Sequence, residues 1–468
     1  MIELPFMEGC TVAVLGLGKS GRTAARALMA SGADVWAWDD NEDARNRAVE
    51  ADIPLVDLMQ ADWNQPVSLI LSPGIPYHHP APHPVVAKAQ AAGVEVVGDI
   101  ELLGRIQPDA KYIGVTGTNG KSTTTALIGH VLNMARRLVY TGGNLGMPAL
   151  EFDPVDREGF YVLEMSSYQL DLTLSITFDV AVLLNISPDH LDRHGGLEGY
   201  IAAKKQIFHR QTSNRTAVVG VDDPICRKIF DELMATGNQR VIPVSGKGPV
   251  AGGVYASDGF LVDDSEGKQV PILPLNELEH LPGEHNWQNA AAAYAACQAA
   301  GVDPAVIMAC MRSFAGLPHR QELVAEIDAV RFINDSKATN AEAAGRALSC
   351  YERIYWIAGG RAKEGGLEGL ETWYPRIVKA FLIGEAAEGF AKALEGKLSF
   401  EKSGTLETAV DHAAQAAAGD DGAGAVVLLS PACASFDQFD NFESRGDAFR
   451  ALVKSLKDTK ATAGQVSS

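Results

Sequence analysis

The residues with the clearest chemical pattern lie between positions 112 and 125. An apolar run, Tyr112 to Val115, leads into the segment G-T-N-G-K-S at positions 117–122, and a helical pattern begins at Thr123. Phosphate groups are held by successive backbone N–H groups, a helix N-terminus, a lysine and a hydroxyl that can ligate Mg²⁺, and this segment supplies all of them. The usual motif begins with a glycine where this chain has Val115, and a glycine stands at position 117 instead. The segment predicts a phosphate-binding loop.

A second glycine-rich turn lies near the N-terminus. Gly16, Gly18 and Gly21 follow an apolar strand and open a helix, and Asp39 ends the next strand eighteen residues after Gly21. This is the spacing of a dinucleotide-binding turn, so an NAD enzyme is one interpretation. A substrate that carries a nucleoside diphosphate fits the same turn equally well, because the glycines and the helix N-terminus recognise the diphosphate and not the nicotinamide.

Polar residues also follow two later strands. Glu164 ends the run F-Y-V-L-E, and the segment N-I-S-P-D-H-L-D-R-H occupies positions 185–194 after another strand. Ligands of open parallel sheets bind beyond the carboxyl ends of the strands, so Glu164 and His190 are predicted to face the phosphate loop. A carboxylate and an imidazole there suit Mg²⁺ and the groups around it. A surface histidine beside a helix cap at Asp189 is the alternative for His190.

Other side chains carry weaker signals. The pair Lys204 and Lys205 has the pattern of a solvated helix face. The histidines at 78, 79 and 83 lie in a proline-rich stretch without the spacing of metal ligands, and Cys433 has no neighbouring histidine to activate its thiol. Farther along, Arg320, Lys337 and Lys363 stand at predicted strand ends or domain joints, where cations can meet a phosphate or a carboxylate.

The composition limits the classes of protein that can present these residues. A chain of 468 residues suggests about three domains, and its 46% hydrophobic and 21% charged residues are typical of globular proteins. The 40 basic and 59 acidic residues give a net charge of −19, which argues against nucleic acid and anionic membranes as partners. The six scattered cysteines, the acidic N-terminus and the short apolar runs predict a cytoplasmic protein with reduced thiols and no membrane insertion.

Strands and helices alternate along the whole chain, which predicts an α/β fold with parallel sheets in three domains. A small antiparallel extension is predicted between Val241 and Pro282, followed by a buried alanine-rich helix from about His285. The predicted strands are Thr11 to Leu15, Asp34 to Trp38, Ser68 to Leu71, Val94 to Val97, Tyr112 to Val115, Phe160 to Glu164, Asp179 to Leu184, Thr216 to Val219, Val330 to Ile333, Arg353 to Ala358, Lys379 to Ile383 and Ala425 to Leu429.

Taken in order along the chain, the motifs resemble those of the Mur ligase family of ATP-dependent amide-forming enzymes. They include G-T-N-G-K-S, G-G-N-L-G, L-E-M-S-S-Y-Q-L, N-I-S-P-D-H-L-D-R, Y-I-A-A-K, G-E-H-N, L-P-H-R and N-D-S-K-A-T-N. The resemblance covers nearly the whole chain. It implies an N-terminal Rossmann-like domain (1–98), a central P-loop ATPase-type domain with a parallel sheet (99–316) and a C-terminal Rossmann-like domain that binds an amino acid (317–468).

The segments S-P-G-I-P, G-D-I-E and S-P-A-C-A-S-F-D-Q-F narrow the activity that the resemblance implies. That activity is the ligation of D-glutamate to UDP-N-acetylmuramoyl-L-alanine through an acyl phosphate, with ATP cleaved to ADP and phosphate. It belongs to peptidoglycan precursor synthesis in the cytoplasm, and so to cell-wall biogenesis, cell shape, cell division and the cell cycle. The resemblance also implies two Mg²⁺ ions, and we expect the protein to be a monomer.

The resemblance carries roles to individual positions. For the UDP-sugar it implies Lys19, Ser20, Asp39, Asp40, Ser72 and Gly74, with Asn144 and His190 nearer the muramoyl end. For ATP it implies Gly117, Thr118, Asn119, Gly120, Lys121, Ser122, Thr123, Asn286, Asn289, Arg320, Asp335 and Lys337. One Mg²⁺ is expected on Ser122 and Glu164 and the other on His190 and a carboxylated Lys204, which makes Lys121, Glu164, His190 and Lys204 the catalytic set. D-glutamate is expected at Thr339, Lys363, Ser435 and Phe442.

Three alternatives differ in testable ways. A related ligase that acts on folate or adds another amino acid shares the ATP motifs and differs in substrate profile. A nucleotide-gated binding or scaffold protein turns ATP over without regard to amino acid or UDP-sugar. A dehydrogenase changes the fluorescence of reduced nicotinamide on titration.

Overall fold

The computed structural model describes residues 1–144, 146–363, 365–419 and 424–466, with side chains as far as position 459. The chain divides into two compact units. The first comprises Met1–Leu278 and Glu284–Phe314, and the second comprises Glu279–Gly283 and the chain from Ala315 onward. Within the described residues, no helix combines the length and apolar character that a bilayer crossing requires.

The first unit opens with a four-stranded sheet in which all neighbouring strands are parallel. Its strands, in the order β2-β1-β3-β4, are β1 (Thr11–Leu15), β2 (Asp34–Trp38), β3 (Ser68–Leu71) and β4 (Glu95–Val97). Its helices are α1 (Lys19–Ala30), α2 (Glu42–Val49), α3 (Pro84–Ala91) and α4 (Asp99–Ile106). The central strands β1 and β3 are apolar runs, buried almost throughout as in a sheet with both faces covered. The carboxyl ends of β1, β2 and β3 therefore meet at one edge.

A nine-stranded sheet follows in the same unit, in the order β13-β12-β11-β10-β9-β8-β5-β7-β6. Its strands are β5 (Lys111–Thr116), β6 (Val139–Gly143), β7 (Phe160–Glu164), β8 (Val180–Leu183), β9 (Thr216–Gly220), β10 (Arg240–Ser245), β11 (Val254–Ser257), β12 (Phe260–Asp263) and β13 (Val270–Pro274). Only the β11-β12 and β12-β13 pairs of this sheet are antiparallel. The antiparallel extension is thus confirmed, but it begins at β11, because β10 pairs in parallel with β9.

The helices of this second sheet are α5 (Lys121–Met134), α6 (Ser167–Asp171), α7 (Leu191–His194), α8 (Leu197–Lys205), α9 (Pro224–Thr236), α10 (Glu284–Ala299) and α11 (Pro304–Arg312). The predicted alanine-rich helix is α10, and its residues from 290 to 297 are completely or almost completely buried. Small side chains let α10 pack closely against α5, which carries the phosphate loop at its N-terminus.

The second unit contains a six-stranded sheet in the order β14-β15-β19-β16-β17-β18. Its strands are β14 (Glu322–Ile327), β15 (Val330–Asn334), β16 (Ile354–Gly359), β17 (Ile377–Ile383), β18 (Phe400–Gly404) and β19 (Val426–Leu429), and its helices are α12 (Ala341–Leu348), α13 (Ala387–Leu394), α14 (Leu406–Ala418) and α15 (Phe442–Val466). Only β14 is antiparallel to its neighbour in this sheet. The core residues of β16 and β19 are buried on both faces.

All the strands predicted from sequence are present within one or two residues, but outside the antiparallel extension the prediction lacks β6, β14 and β18. All three lie at the edge of a sheet. Two of them, β6 (V-Y-T-G-G) and β18 (F-E-K-S-G), carry glycines and polar residues in place of a continuous apolar run. Hydrophobic periodicity therefore gives little signal for these two strands.

Candidate active site

The phosphate-loop segment lies where the sequence predicts it, between β5 and α5. Gly117 and Gly120 have positive φ angles of 150° and 85°, which favour glycine. A Cβ on Gly120 would also lie 2.3 Å from Oδ1 of Asn289 on α10. The absence of a side chain thus lets the loop turn and lets α10 approach it. This contact brings Asn289, and with it Asn286 one turn earlier, to the phosphate loop.

Asn185 braces this loop from the end of β8. Its Oδ1 accepts the N–H of Asn119 at 2.9 Å, and its Nδ2 donates to the carbonyl of Asn119 at 3.1 Å. The backbone carbonyl of Asn185 accepts the N–H of Thr118 at 2.9 Å. This role of Asn185 was not predicted from sequence. The signal that could have indicated it is the position of Asn185 just after a buried strand.

Lys121 and Ser122 begin α5 beside these braces. Lys121 Nζ donates to the carbonyls of Gly117 and Thr118 at 2.9 and 2.8 Å, so the ammonium lies over its own loop. Ser122 is buried at the first turn of the helix, and Thr123 follows it. Helix N-terminus, lysine and hydroxyl are therefore all present at this loop, as phosphate binding requires.

Glu164 ends β7 directly beside the loop strand, in register with Val115. Its side chain is 3% exposed. Oε1 accepts Nδ2 of Asn144 at 2.8 Å, while Oε2 is buried and has no hydrogen-bond partner in the described structure. A buried carboxylate oxygen without a donor is costly, so this atom is suited to a cation.

Lys204 approaches the same loop from α8. Its side chain is 1% exposed, and Nζ donates to the carbonyl of Gly117 at 2.8 Å. Burial, assisted by the charge of Lys121, holds the pKa of Lys204 well below the usual lysine value, which favours a neutral amine. The interpretation of the lysine pair as a solvated face is therefore wrong for Lys204. It holds for Lys205, whose Nζ pairs with Glu232 at 2.7 Å in a partly exposed ion pair.

His190 lies farther along the loop after β8 and caps α7. It adopts a positive φ of 51°, is about half exposed, and places Nε2 3.5 Å from Oδ2 of Asp189. Its ring centroid is 5.4 Å from that of Tyr168. The described residues contain no cluster of three or more His, Cys, Asp or Glu arranged for a metal ion. The magnesium ligands predicted from sequence would not form such a cluster, because two of the four are a serine and a lysine.

The N-terminal turn forms at the edge where β1, β2 and β3 end. Gly16 has a φ of 92°, and Ser72 Oγ donates to its carbonyl at 2.8 Å. Asp39 Oδ2 accepts the N–H of Leu17 at 2.6 Å. A Cβ on Gly21 would lie 1.7 Å from the carbonyl oxygen of Gly16, so α1 packs against the turn only with glycine there. The turn, Asp39 and Ser72 are thus brought together.

The remaining residues predicted for the UDP-sugar surround this turn. Lys19 Nζ donates to the carbonyl of Gly146, in the G-G-N-L-G segment, and Asp40 pairs with His83 at 2.9 Å. Ser20 hydrogen bonds to Asp99, a residue that the site prediction missed although it belongs to the G-D-I-E motif. Burial raises the pKa of Asp99 to about 6.

In the second unit, β15, β19 and β16 are adjacent, so the segments after them lie at one edge. Asp335 follows β15, and its Oδ2 accepts Ser430 Oγ at 2.7 Å. Burial raises the pKa of Asp335 to about 7, although Ser430 and the charge of Arg320 act against the rise. Lys337 Nζ lies 3.8 Å from the ring centroid of Phe442. The structure therefore brings Arg320, Asp335, Lys337 and Phe442 together.

The other residues predicted for D-glutamate lie on these same segments. Thr339 N–H donates to the carbonyl of Lys337 at 2.8 Å. Ser435 is buried after β19, and Lys363 is exposed after β16. The two segments are joined by backbone hydrogen bonds between Arg361 and Ala434 at 2.9 and 3.0 Å.

Arg445 is a residue at this edge that sequence analysis missed. It is 1% exposed, and its guanidinium donates to Ser336 Oγ at 3.0 Å and to the carbonyls of Ser336 and Cys433 at 2.8 and 3.1 Å. It therefore ties the segment after β15 to the one after β19. Its spacing from the buried Phe449 and Val453 on α15 places an arginine on an apolar stripe, and this was the available signal. Cys433 itself is buried, which raises the pKa of its thiol to about 12.

Two family models match this chain. One is described as the Mur ligase middle domain and matches residues 115–297, and the other, described as the N-terminal domain of MurD-like Mur ligases, matches residues 10–98. The chain is 53% identical to a UDP-N-acetylmuramoylalanine–D-glutamate ligase of Rhodospirillum rubrum, over 99% of this chain and 98% of the relative. It is 52% identical to the enzyme of that name from Caulobacter vibrioides, over 97% and 98%.

Solved structures share the fold at lower identity. A UDP-N-acetylmuramate-alanine ligase from Thermotoga maritima superposes with a TM-score of 0.57 at 19% identity, covering 95% of this chain and 99% of that one. A pseudomurein peptide ligase type C from Methanothermus fervidus superposes with a TM-score of 0.54 at 16% identity, covering 96% and 100%. At this identity the likeness establishes the fold.

Proposed function

This chain belongs to the Mur ligase family, and we propose that it joins D-glutamate to UDP-N-acetylmuramoyl-L-alanine while ATP is cleaved to ADP and phosphate. As a member of the family it is an ATP-dependent ligase. The choice of D-glutamate is supported by relatives of that name that match almost the whole chain at about half identity. The proposed setting is peptidoglycan precursor synthesis by a monomer in the cytoplasm, where ATP and nucleotide sugars are available.

The proposed domains are 1–98 for the UDP-sugar, 99–316 for ATP and 317–468 for the amino acid. The first two bounds are supported by the matched ranges 10–98 and 115–297, and the third by the compact unit that takes up the chain from Ala315. We assign the UDP-sugar to the turn after β1 and its neighbours. These residues are Lys19, Ser20, Asp39, Asp40, Ser72, Gly74, Asn144 and His190.

ATP is assigned to the phosphate loop and to α10. The backbone N–H groups of residues 117–123 and the N-terminus of α5 favour phosphate oxygens, and Lys121 can exchange its loop carbonyls for them. Asn286 and Asn289 supply amides next to Gly120. From the second unit, the ATP contacts are assigned to Arg320, Asp335 and Lys337.

The residues at the loop fit Mg²⁺. The buried Oε2 of Glu164 has no hydrogen-bond partner among the described residues, and the hydroxyl of Ser122 lies at the helix start. We assign one ion to Ser122 and Glu164 and a second to His190 and a carboxylated Lys204. When bound, Mg²⁺ would neutralise the charge that develops on the transferring phosphoryl group.

We propose that Lys204 is carboxylated, and its burial supports this proposal. A neutral amine has a free electron pair that can attack the carbon of CO₂, forming an N–C bond and releasing one proton to give a carbamate. An ammonium would repel a cation, whereas the carbamate presents oxygen atoms that can ligate one. The depressed pKa of Lys204 favours the amine required for this step.

The proposed reaction has two steps. The L-alanyl carboxylate attacks the γ-phosphorus of ATP, the bond to the ADP oxygen breaks, and an acyl phosphate forms while Lys121 and the loop N–H groups balance the charge. The amine of D-glutamate then attacks the acyl carbon, phosphate leaves and the amine loses a proton. We assign D-glutamate to Thr339, Lys363, Ser435 and Phe442, with the lysine ammonium facing a carboxylate.

The observation that carries this proposal is the placement of Glu164 and Lys204, both buried, beside one phosphate loop in a chain whose nearly full-length relatives add D-glutamate. The test is phosphate release with Mg²⁺, ATP and UDP-N-acetylmuramoyl-L-alanine, comparing D-glutamate, L-glutamate and meso-diaminopimelate. Release that depends on D-glutamate supports the proposal. Release that depends on another amine would indicate a different amino-acid substrate, and release that depends on no amine would contradict ligation.

A pair of variants tests the roles of the buried groups in the same assay. Lys204→Met and Glu164→Gln are expected to lower kcat at least about a hundredfold, because each removes an oxygen ligand from the site. Lys205→Met alters the neighbouring lysine, which pairs with Glu232, and is expected to retain activity. Loss of activity in Lys205→Met alone would contradict the assignment of Lys204.

A further inference from the structure

A row of stacked side chains begins at the loop after β3, which we assign to the UDP-sugar. Arg193, on α7, donates from Nη1 to the carbonyl of Gly74 at 3.0 Å. Its guanidinium carbon lies 4.8 Å from the ring centroid of Tyr168 on α6. The Nε atom of Arg193 is buried and has no hydrogen-bond partner among the described residues, so the ring face of Tyr168 compensates for part of its lost hydration.

The row continues through His194 to the phosphate loop. The rings of Tyr168 and His194 are stacked, with centroids 5.2 Å apart and planes within 6°. His194 lies 5.4 Å from the ring of Tyr200, and Tyr200 in turn lies 4.6 Å from Nζ of Lys204. The hydroxyl of Tyr200 is 3.3 Å from Oγ1 of Thr118.

His194 is held on both edges of its ring. It is 7% exposed, its Nε2 is 2.8 Å from Ser167 Oγ, and its Nδ1 is 3.6 Å from Asp171 Oδ2. Burial, with the charges of Lys204 and His190 adding to the effect, lowers the pKa of His194 to about 4. The ring is therefore neutral near pH 7 and can stack in the row without repelling Arg193.

The ring of Tyr168 thus contacts three side chains. It packs on Arg193, which holds the loop after β3, and on His194, whose ring also contacts Tyr200 on α8. The third contact is with His190, whose ring centroid is 5.4 Å away. Stacked rings and planar guanidinium groups have few alternative arrangements, so displacement of one member disturbs the next.

We propose that Arg193, Tyr168 and His194 are positioning residues that hold the loop of Ser72 and Gly74 in register with His190. The inference rests on the proposed function, because the ligand it concerns is the UDP-sugar. Without the row, the loop would have to be ordered by the substrate, and that ordering is subtracted from the binding free energy. The expected signature is weaker binding of the UDP-sugar with little change in the KM for ATP.

The test measures direct binding of UDP-N-acetylmuramoyl-L-alanine by calorimetry without ATP, together with the KM for each substrate. Arg193→Lys keeps the charge but loses the planar group, and Tyr168→Leu loses the ring. Each is expected to weaken UDP-sugar binding about tenfold, as for loss of one charge-assisted hydrogen bond. Tyr168→Phe keeps the ring and should restore most of the affinity. The matched control Arg157→Lys alters an arginine that is 80% exposed on its side chain.

A double variant separates positioning from simple loss of contact. If the residues act as one row, adding Arg193→Lys to Tyr168→Leu weakens UDP-sugar binding little further. Independent contacts would instead give a total loss of affinity of about a hundredfold in the double variant. Unchanged UDP-sugar affinity in both single variants, or an equal rise in the KM for ATP, would overturn the proposal. Melting temperatures identify a variant that fails to fold, and Arg193→Gln then replaces Arg193→Lys. Turnover of the unaltered enzyme with D-glutamate tests the proposed function separately.

Discussion

Lys204 is the residue whose replacement separates stability from function most clearly. It is almost completely buried, and its pKa lies well below the ordinary value. Lys204→Met keeps an unbranched side chain and removes the amine. The carbonyl of Gly117, which accepts from Lys204, also accepts from Lys121, so the variant leaves this oxygen with a donor. We expect the variant to lose activity and to gain stability relative to the unaltered enzyme at neutral pH.

The size of the effect follows from proton linkage. In the unfolded chain Lys204 titrates at about 10.4, whereas in the folded chain the amine is already neutral at lower pH. Between the depressed pKa and about 10.4 the unfolded state therefore binds one more proton, and the free energy of unfolding rises by about 1.4 kcal/mol per pH unit. Above about pH 10.4 this gain in the free energy of unfolding is complete, and it is lost as the pH falls toward the pKa of Lys204 in the folded protein. Lys204→Met should lack this slope.

The assay is hydrogen exchange of the β5 amides in decarbonated buffer at pH 8.5 and 9.5, corrected for intrinsic exchange rates, which reports the opening free energy of this sheet. The unaltered enzyme is expected to gain about 1.4 kcal/mol more than Lys204→Met between the two pH values. Lys205→Met, on the same helix, should follow the unaltered enzyme. Equal slopes in the unaltered enzyme and Lys204→Met would refute the inference that burial keeps this lysine neutral.

Three further changes have defined outcomes. Gly21→Ala should destabilise the protein by about 3 kcal/mol and weaken UDP-sugar binding, because its Cβ would collide with a backbone oxygen, while Gly18→Ala, with nothing within 4 Å, should cost less than about 1 kcal/mol; thermal unfolding compares them. Asn185→Ala removes two hydrogen bonds from the phosphate loop, about 2 kcal/mol, and should raise the KM for ATP about thirtyfold in steady-state kinetics. The folded pKa of Asp335 is raised to about 7, so its contribution to stability is present below about pH 4 and lost as pH rises through 7; Asp335→Asn should abolish that loss in denaturant unfolding at pH 5 and 7.

The parallel strands of this protein were predictable because they are buried on both faces. Runs such as Phe160–Glu164 and Ser68–Leu71 are nearly continuous apolar segments followed by turn residues, and their bounds agree with the structure. The strands β6 and β18 were not predictable in this way, since their segments carry glycines and polar residues in place of a continuous apolar run. The order of strands in each sheet also cannot be predicted from the hydrophobic pattern, because strand pairing joins segments that are far apart in the chain.

The candidate site likewise contains residues that were predictable from local sequence and residues that were not. Glycine spacing gave the phosphate loop and the turn after β1, because a positive φ or a close backbone approach can be met only by particular residues. Lys204 and Arg445 were different, since local pattern describes the first as a solvated cation and gives the second no motif. Their importance comes from burial and from partners such as Gly117 and Cys433, which local sequence does not specify.

The α/β class, the two glycine-rich turns and most polar residues at strand ends can be inferred from the amino-acid sequence, since these features depend on interactions within about twenty residues. Three other features are visible only in the folded chain: the buried oxygen of Glu164 without a hydrogen-bond partner among the described residues, the burial of Lys204 beside Gly117, and the contact of Arg193 with Gly74. They cannot be inferred from local sequence because desolvation and hydrogen bonding depend on which distant segments meet. The charge state of a buried lysine is therefore a property of the fold and not of its neighbours in sequence.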